Sequence, residues 1–194
     1  MKRTINIIFI LAAFAGWGHI CHAQQIQFIS ENIQFELDSN SFNVSGAYLF
    51  ENKSDKPQTA LLFFPLPRHK YYGQSSQISI FDSTSGTNIS PLVKNNYGFK
   101  FPVTIAPGKS KTISIKYRQE LLGNQAEYIL TTTQTWGESL QYGKYKLTTP
   151  ARLKVNYFSY PPDNAEEMGI TNIYTWTKTN FMPDKNFIFM FFSE

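Results

Sequence analysis

Side chains able to do chemistry crowd together in one short stretch, Arg68-His69-Lys70-Tyr71-Tyr72, which sets cations, an imidazole and two phenols side by side. A general base needs a pKa near the working pH and an acceptor to orient it. Arg68 and Lys70 on both sides of His69 supply no acceptor to orient it, so His69 reads as an exposed loop imidazole. The composition suits contact better than catalysis, because Arg and aromatic side chains are enriched where proteins touch partners. Trp136 with Tyr142 and Tyr145 is a second aromatic group. It has the rings to stack on a sugar or peptide, and equally the bulk to fill a core.

Carboxylates could pair across space as in glycoside hydrolysis; the candidates are Glu120, Glu127, Glu138, Asp163, Glu166 and Glu167. Glu166 and Glu167 are sequence neighbours and point to different sides of a turn or strand, so they do not converge unaided. Asp163-Asn164-Ala165-Glu166-Glu167 is a sparse oxygen set beside the six to eight ligands calcium takes. Asp82-Ser83-Thr84-Ser85-Gly86 has the composition of a turn. No Gly-x-Ser-x-Gly or phosphate-loop spacing occurs. The residues therefore name no catalytic group, no metal site and no cofactor.

The ends of the chain explain part of this poverty. Lys2 and Arg3 precede the apolar run Ile5 to Phe14, and Cys21-His22-Ala23 offers small side chains before a cut. That is the pattern of a secretory signal over residues 1–23, too short to span a bilayer as a helix. Cleavage would leave residues 24–194 without a cysteine and with His69 alone among histidines. Disulfides, cysteine-ligated zinc and thiol nucleophiles are then excluded. Without Lys2 and Arg3, the 18 basic residues become 16 against 14 acidic ones, scattered rather than striped, which gives no support for nucleic-acid binding. No later stretch is long enough for a membrane span. An extracytoplasmic destination follows, periplasmic or secreted.

The elements that must position these residues read as strands. Phe42, Val44, Gly46, Tyr48 and Phe50 share one face of an alternating run, and Thr59 to Pro67 is a nearly continuous apolar run of the kind covered on both faces. With the polar turn Asn52 to Pro57 between them, the two read as a central hairpin. Ile26 to Ile29 and Ile33 to Leu37 alternate too, with an interruption near Ser30-Glu31-Asn32. Pro102 marks an edge or bulge between two short strands. Ala106-Pro107-Gly108-Lys109 is a strong turn, and Ile113, Ile115 and Tyr117 line the clearest strand. Ala126 to Thr133 reads as a strand, Ala165 to Met168 as one helical turn, and Trp136 to Gly143 as a loop. Turns recur at short intervals and no helical period persists. The fold class is therefore all-β: an antiparallel β-sandwich in a single domain.

Phe64-Pro65-Leu66-Pro67, Ile105-Ala106-Pro107-Gly108-Lys109 and Ile113-Ser114-Ile115-Lys116-Tyr117 with Leu121, in that order, resemble the vault and inter-alpha-trypsin inhibitor (VIT) domain. The likeness covers roughly residues 33–130. It implies an immunoglobulin-like or VIT-like sandwich and a protein-interaction or structural role, with no catalytic residues to transfer. In that family a von Willebrand A domain with an Asp-x-Ser-x-Ser metal motif commonly follows, and the nearest string here, at Asp82, has Thr and Gly in place of the two serines. The expectation is an exported, non-catalytic module that binds an unidentified protein or cell-surface component through Arg68, His69, Lys70, Tyr71 and Tyr72, with Trp136 and Tyr142 as further contacts. The alternative is a carbohydrate-binding module or a carboxylate-based glycan hydrolase. Self-assembly through open sheet edges is a third reading.

Overall fold

The computed structural model describes residues 26–193, so the export signal expected over residues 1–23 lies outside the described residues. Strands dominate: β1 (Ile26–Asp38), β2 (Ser41–Asn52), β3 (Gln58–Pro65), β4 (Tyr72–Asp82), β5 (Thr87–Asn88), β6 (Val93–Asn95) and β7 (Gly98–Ile105). Then come β8 (Ser110–Leu121), β9 (Gln125–Tyr128), a 3-10 turn (Thr131–Trp136), β10 (Leu140–Pro150), β11 (Leu153–Phe158), β12 (Asn164–Met168), β13 (Thr171–Phe181) and β14 (Phe187–Ser193). The fold is all-β, as the alternation predicts.

One layer is an eight-stranded sheet in the order β12-β13-β10-β1-β2-β8-β4-β5. Its pairs are antiparallel except β1 with β10, which run parallel from Ser30 opposite Tyr142 to Glu36 opposite Thr148. The other layer consists of two three-stranded sheets, β11-β14-β9 and β3-β7-β6. Both cover the same face of the large sheet. Phe35 of β1 meets Phe187 and Phe189 of β14 at ring-centroid distances of 5.8 and 5.6 Å, and Tyr48 of β2 meets Phe64 of β3 at 5.8 Å. Trp176, Tyr145, Phe42, Phe99 and Phe101 are fully buried between the layers. The aromatic richness of the sequence is thus spent mostly on the core, where tilted and edge-on ring pairs add to area burial.

β2 and β3 do not form a hairpin. A strand has two edges, and both edges of β2 are taken, by β1 over Ser41–Asn52 and by β8 over Ser41–Glu51. The chain must leave the sheet at Asn52, and it crosses to the opposite layer, where β3 pairs with β7. Asn52 builds the corner. Its buried amide Nδ2 donates to the carbonyls of Lys56, Ile105 and Ala106 at 2.8, 3.0 and 3.2 Å, and its Oδ1 accepts the Ser54 N–H at 3.0 Å. Nor is β3 covered on both faces: Leu62 is buried, but Leu61 and Phe63 face outward, 57% and 48% exposed.

Other departures have local causes. β1 is continuous, because a bulge at Ile29 absorbs the interruption: Phe28 pairs with Phe50 and Ser30 with Leu49. The extra residue changes the phase of alternation, so Ile26 and Phe28 before it, and Glu31, Ile33, Phe35 and Leu37 after it, all face the core. Pro102 sits inside β7, tolerated because β6 pairs only with Gly98, Phe99 and Lys100, leaving β7 open on that side at residue 102. The expected helical turn at Ala165–Met168 is strand β12, held by pairing with β13. The strand expected over Ala126–Thr133 stops at Tyr128 and gives way to the 3-10 turn. The turn at Ala106–Lys109 stands as expected, with Gly108 at φ 59°.

Candidate functional site

The expected contact loop borders a cleft of about 800 Å³. Arg68 and His69 form one rim, Tyr72 to Ser75 at the start of β4 the wall, Lys94 to Asn96 the opposite rim, and Glu120 of β8 reaches in from the side. The wall is irregular because β4 slips in register against β8 between Tyr72 and Ser75. Gln119, buried, secures the slip: its Nε2 donates to the Gly73 carbonyl at 2.7 Å and its Oε1 accepts the Ser75 hydroxyl at 2.6 Å. Gly73 leaves room here for the Glu120 carboxylate, which would have to swing aside for a Cβ.

The cleft joins some of the expected residues and separates others. Arg68 lies with its guanidinium 4.3 Å above the Tyr97 ring, a cation–π contact that holds it at the rim. His69 packs at a tilt against Tyr71, with ring centroids 4.7 Å apart. Lys70 turns its ammonium over the Tyr71 ring at 5.1 Å and does not line the cleft. Tyr71 itself packs against Gly123, 2.6 Å from where a Cβ would stand. Tyr72 lines the cleft but its ring is buried, and its hydroxyl accepts from Gln125 Nε2 at 2.7 Å and donates to Glu127 at 3.2 Å. Burial pushes this phenol well above its usual range. The charged side chains lining the cleft are therefore Arg68, Lys94 and Glu120, with the His69 imidazole beside them, a cationic excess. Lys94 had no sequence signal, because it becomes a rim residue only through the pairing of β6 with β7.

Trp136 and Tyr142 are not brought together. Trp136 packs inward on Phe28 and Phe50 at 5.9 and 5.5 Å, Tyr142 is exposed, and Tyr145 is fully buried. No stacking platform forms from the three. The candidate carboxylates hold separate partners: Glu127 accepts from Asn186 at 2.7 Å, Glu138 from Gln27 at 3.0 Å, Asp163 pairs with Lys178 at 2.8 Å, and Glu166 accepts from Asn164 at 2.7 Å. None of these bonds joins two of them. Among the described residues no group of three or more His, Cys, Asp or Glu stands ready to hold a metal.

A second place was missed by the sequence reading. Glu31 of β1 is buried in the core, 3% exposed, with no ion pair to it among the described residues. Tyr145 donates to its Oε1 at 2.7 Å and Tyr128 to its Oε2 at 3.1 Å, and the Tyr48 hydroxyl lies 3.0 Å from that of Tyr128. Burial raises Glu31 to about 7, against the lowering effect of the two hydroxyls. Two glycines make room for this network. A Cβ on Gly46 would strike the Tyr48 ring, and one on Gly143 would come within 2.6 Å of the Tyr145 hydroxyl. The repeated Gly-x-Tyr of Gly46-Ala47-Tyr48 and Gly143-Lys144-Tyr145 was the available signal: two residues apart on a strand, each ring lies over its glycine.

No protein-family model matches the chain. No curated protein matches it either. Solved structures do resemble it in fold. A candidate nutrient binding protein from Legionella pneumophila superposes with a TM-score of 0.68 at 13% identity, over 88% of this chain and 68% of that one. An M1 zinc metallopeptidase from Deinococcus radiodurans superposes with a TM-score of 0.52 at 10% identity, over 86% of this chain. The chain spans 42% of the peptidase, and at these identities the likeness concerns the fold alone.

Proposed function

We propose that the chain is an exported, non-catalytic binding module of the cell envelope, whose cleft takes an acidic segment of a partner protein. The observation that carries this reading is the cleft itself, where Arg68, His69 and Lys94 face a space of about 800 Å³ with Glu120 as the one acid among its lining residues. Such an excess favours and steers a negatively charged partner. The separate partners held by Glu127, Glu138, Asp163 and Glu166 weigh against a glycan hydrolase, and the inward packing of Trp136 on Phe28 and Phe50 against an aromatic sugar platform. The nutrient-binding description of the Legionella protein and the VIT-like motifs agree with a binding role.

The test is titration of an oligo-aspartate peptide into the protein at low and raised salt. The wild type binds, and Arg68→Glu with Lys94→Glu weakens binding by at least about tenfold, on the scale of lost charged contacts, with an unchanged far-ultraviolet spectrum. Equal binding by both proteins would remove the cleft from the function. Tyr72 is unsuitable for this test, because its buried ring supports the wall.

A further inference from the structure

Above Glu31 the covering layer is split, and a small cavity opens between β3 and the 3-10 turn that follows β9. Its volume is about 60 Å³. Glu31 and Tyr48 line it from the large sheet, and Phe28, Phe50, Phe64 and Trp136 contribute aromatic walls. Liquid water occupies about 30 Å³ per molecule, so the space suits a group of two heavy atoms.

We propose that this cavity binds the end of a slender primary alkylammonium, a –CH2–NH3+ group, with Glu31 as its counter-ion. Three observations converge on that chemistry. The carboxylate is buried without a cation, an arrangement that costs free energy until an opposite charge arrives. Aromatic faces around it attract a cation and tolerate its methylene. The hydroxyls bonded to Glu31 are phenols, Tyr145 from β10 and Tyr128 from β9, with Tyr48 from β2 bonded to Tyr128; Tyr128 and Tyr48 line the cavity and can accept from an ammonium as well as donate. Gly46 and Gly143 hold this arrangement open, since a side chain at either would displace a phenol. The site is independent of the cleft and does not rest on the acidic-partner reading.

Methylammonium and n-propylammonium chloride, titrated into the full chain and followed by nuclear magnetic resonance of the Trp136 indole, provide the test. Both bind saturably at about pH 8, in the millimolar range expected of so small a ligand, and more weakly at about pH 5.5, where a proton competes for Glu31. Tetramethylammonium, too large for the cavity, does not bind. Glu31→Gln, which keeps the shape and removes the charge, loses about tenfold or more in affinity. Trp136→Leu, followed through Phe28, keeps the charge but loses a cation–π wall, and weakens binding several-fold. Absence of saturation in the wild type, equal affinity in Glu31→Gln, or equal binding of tetramethylammonium overturns the proposal.

Discussion

At the scale of single residues, Glu31 carries a pH dependence of known sign. Its pKa in the folded chain is about 7, against an ordinary 4.5. Between these values the folded state holds a proton that the unfolded state has released, so stability falls as pH rises from about 4.5 to 7 and levels off above. The displacement corresponds to about 3 kcal/mol. Chemical unfolding of Glu31→Gln against wild type should show the variant gaining across that range and the difference flattening above about pH 7. A constant difference would mean that Glu31 has the same pKa in the folded and the unfolded chain. Asn52 makes the opposite kind of prediction, independent of pH. Its amide satisfies three carbonyls at the corner between layers, so Asn52→Ala should cost about 1–3 kcal/mol in denaturant unfolding, the buried Ile105 carbonyl losing this donor along with two part-buried ones. Neither role was legible in the sequence, where Glu31 resembles a break between strands and Asn52 an ordinary turn residue. Each depends on what the far ends of other strands bring to it.

At the scale of elements, alternation identified a strand wherever one face was buried throughout, as in β8 with Ile113, Ile115 and Tyr117 inward. It failed where an element owes its form to a neighbour. β12 is exposed along its whole length and is extended only because β13 pairs with it. The phase change in β1 was visible as a shift from even to odd apolar positions, and a bulge is the device that reconciles such a shift with one buried face. The Gly-x-Tyr pairs in β2 and β10 make this packing testable. Gly46→Ala and Gly143→Ala leave strand propensity undiminished but push a phenol off its glycine, and each should lower stability by about 1–3 kcal/mol in thermal or denaturant unfolding. Gly46→Ala should also disturb the Tyr48–Tyr128 contact, seen in tyrosine ring resonances. Stability equal to wild type would show that the rings have room to move.

At the scale of the whole molecule, the cleft and the cavity both follow from one topological fact: the chain leaves the large sheet after β2 and builds the second layer in two separate pieces. The cleft forms where β6 approaches the start of β4, and the cavity where β3 faces the turn after β9. Alternation has a range of a few residues and carries no information about which sheet a strand joins, which is why β2 and β3 read as a hairpin and β3 as doubly covered. Adjacent leucines separate the two descriptions of β3. In the outer layer observed, Leu61 faces solvent at 57% exposure and Leu62 faces the core at 8%. Leu61→Lys should therefore change stability by no more than about 0.5 kcal/mol. Leu62→Lys buries an unpaired ammonium and should cost about 3 kcal/mol or more, or prevent folding. Denaturant midpoints that fall equally for the two variants would restore the doubly covered strand and, with it, a different route for the chain between the layers.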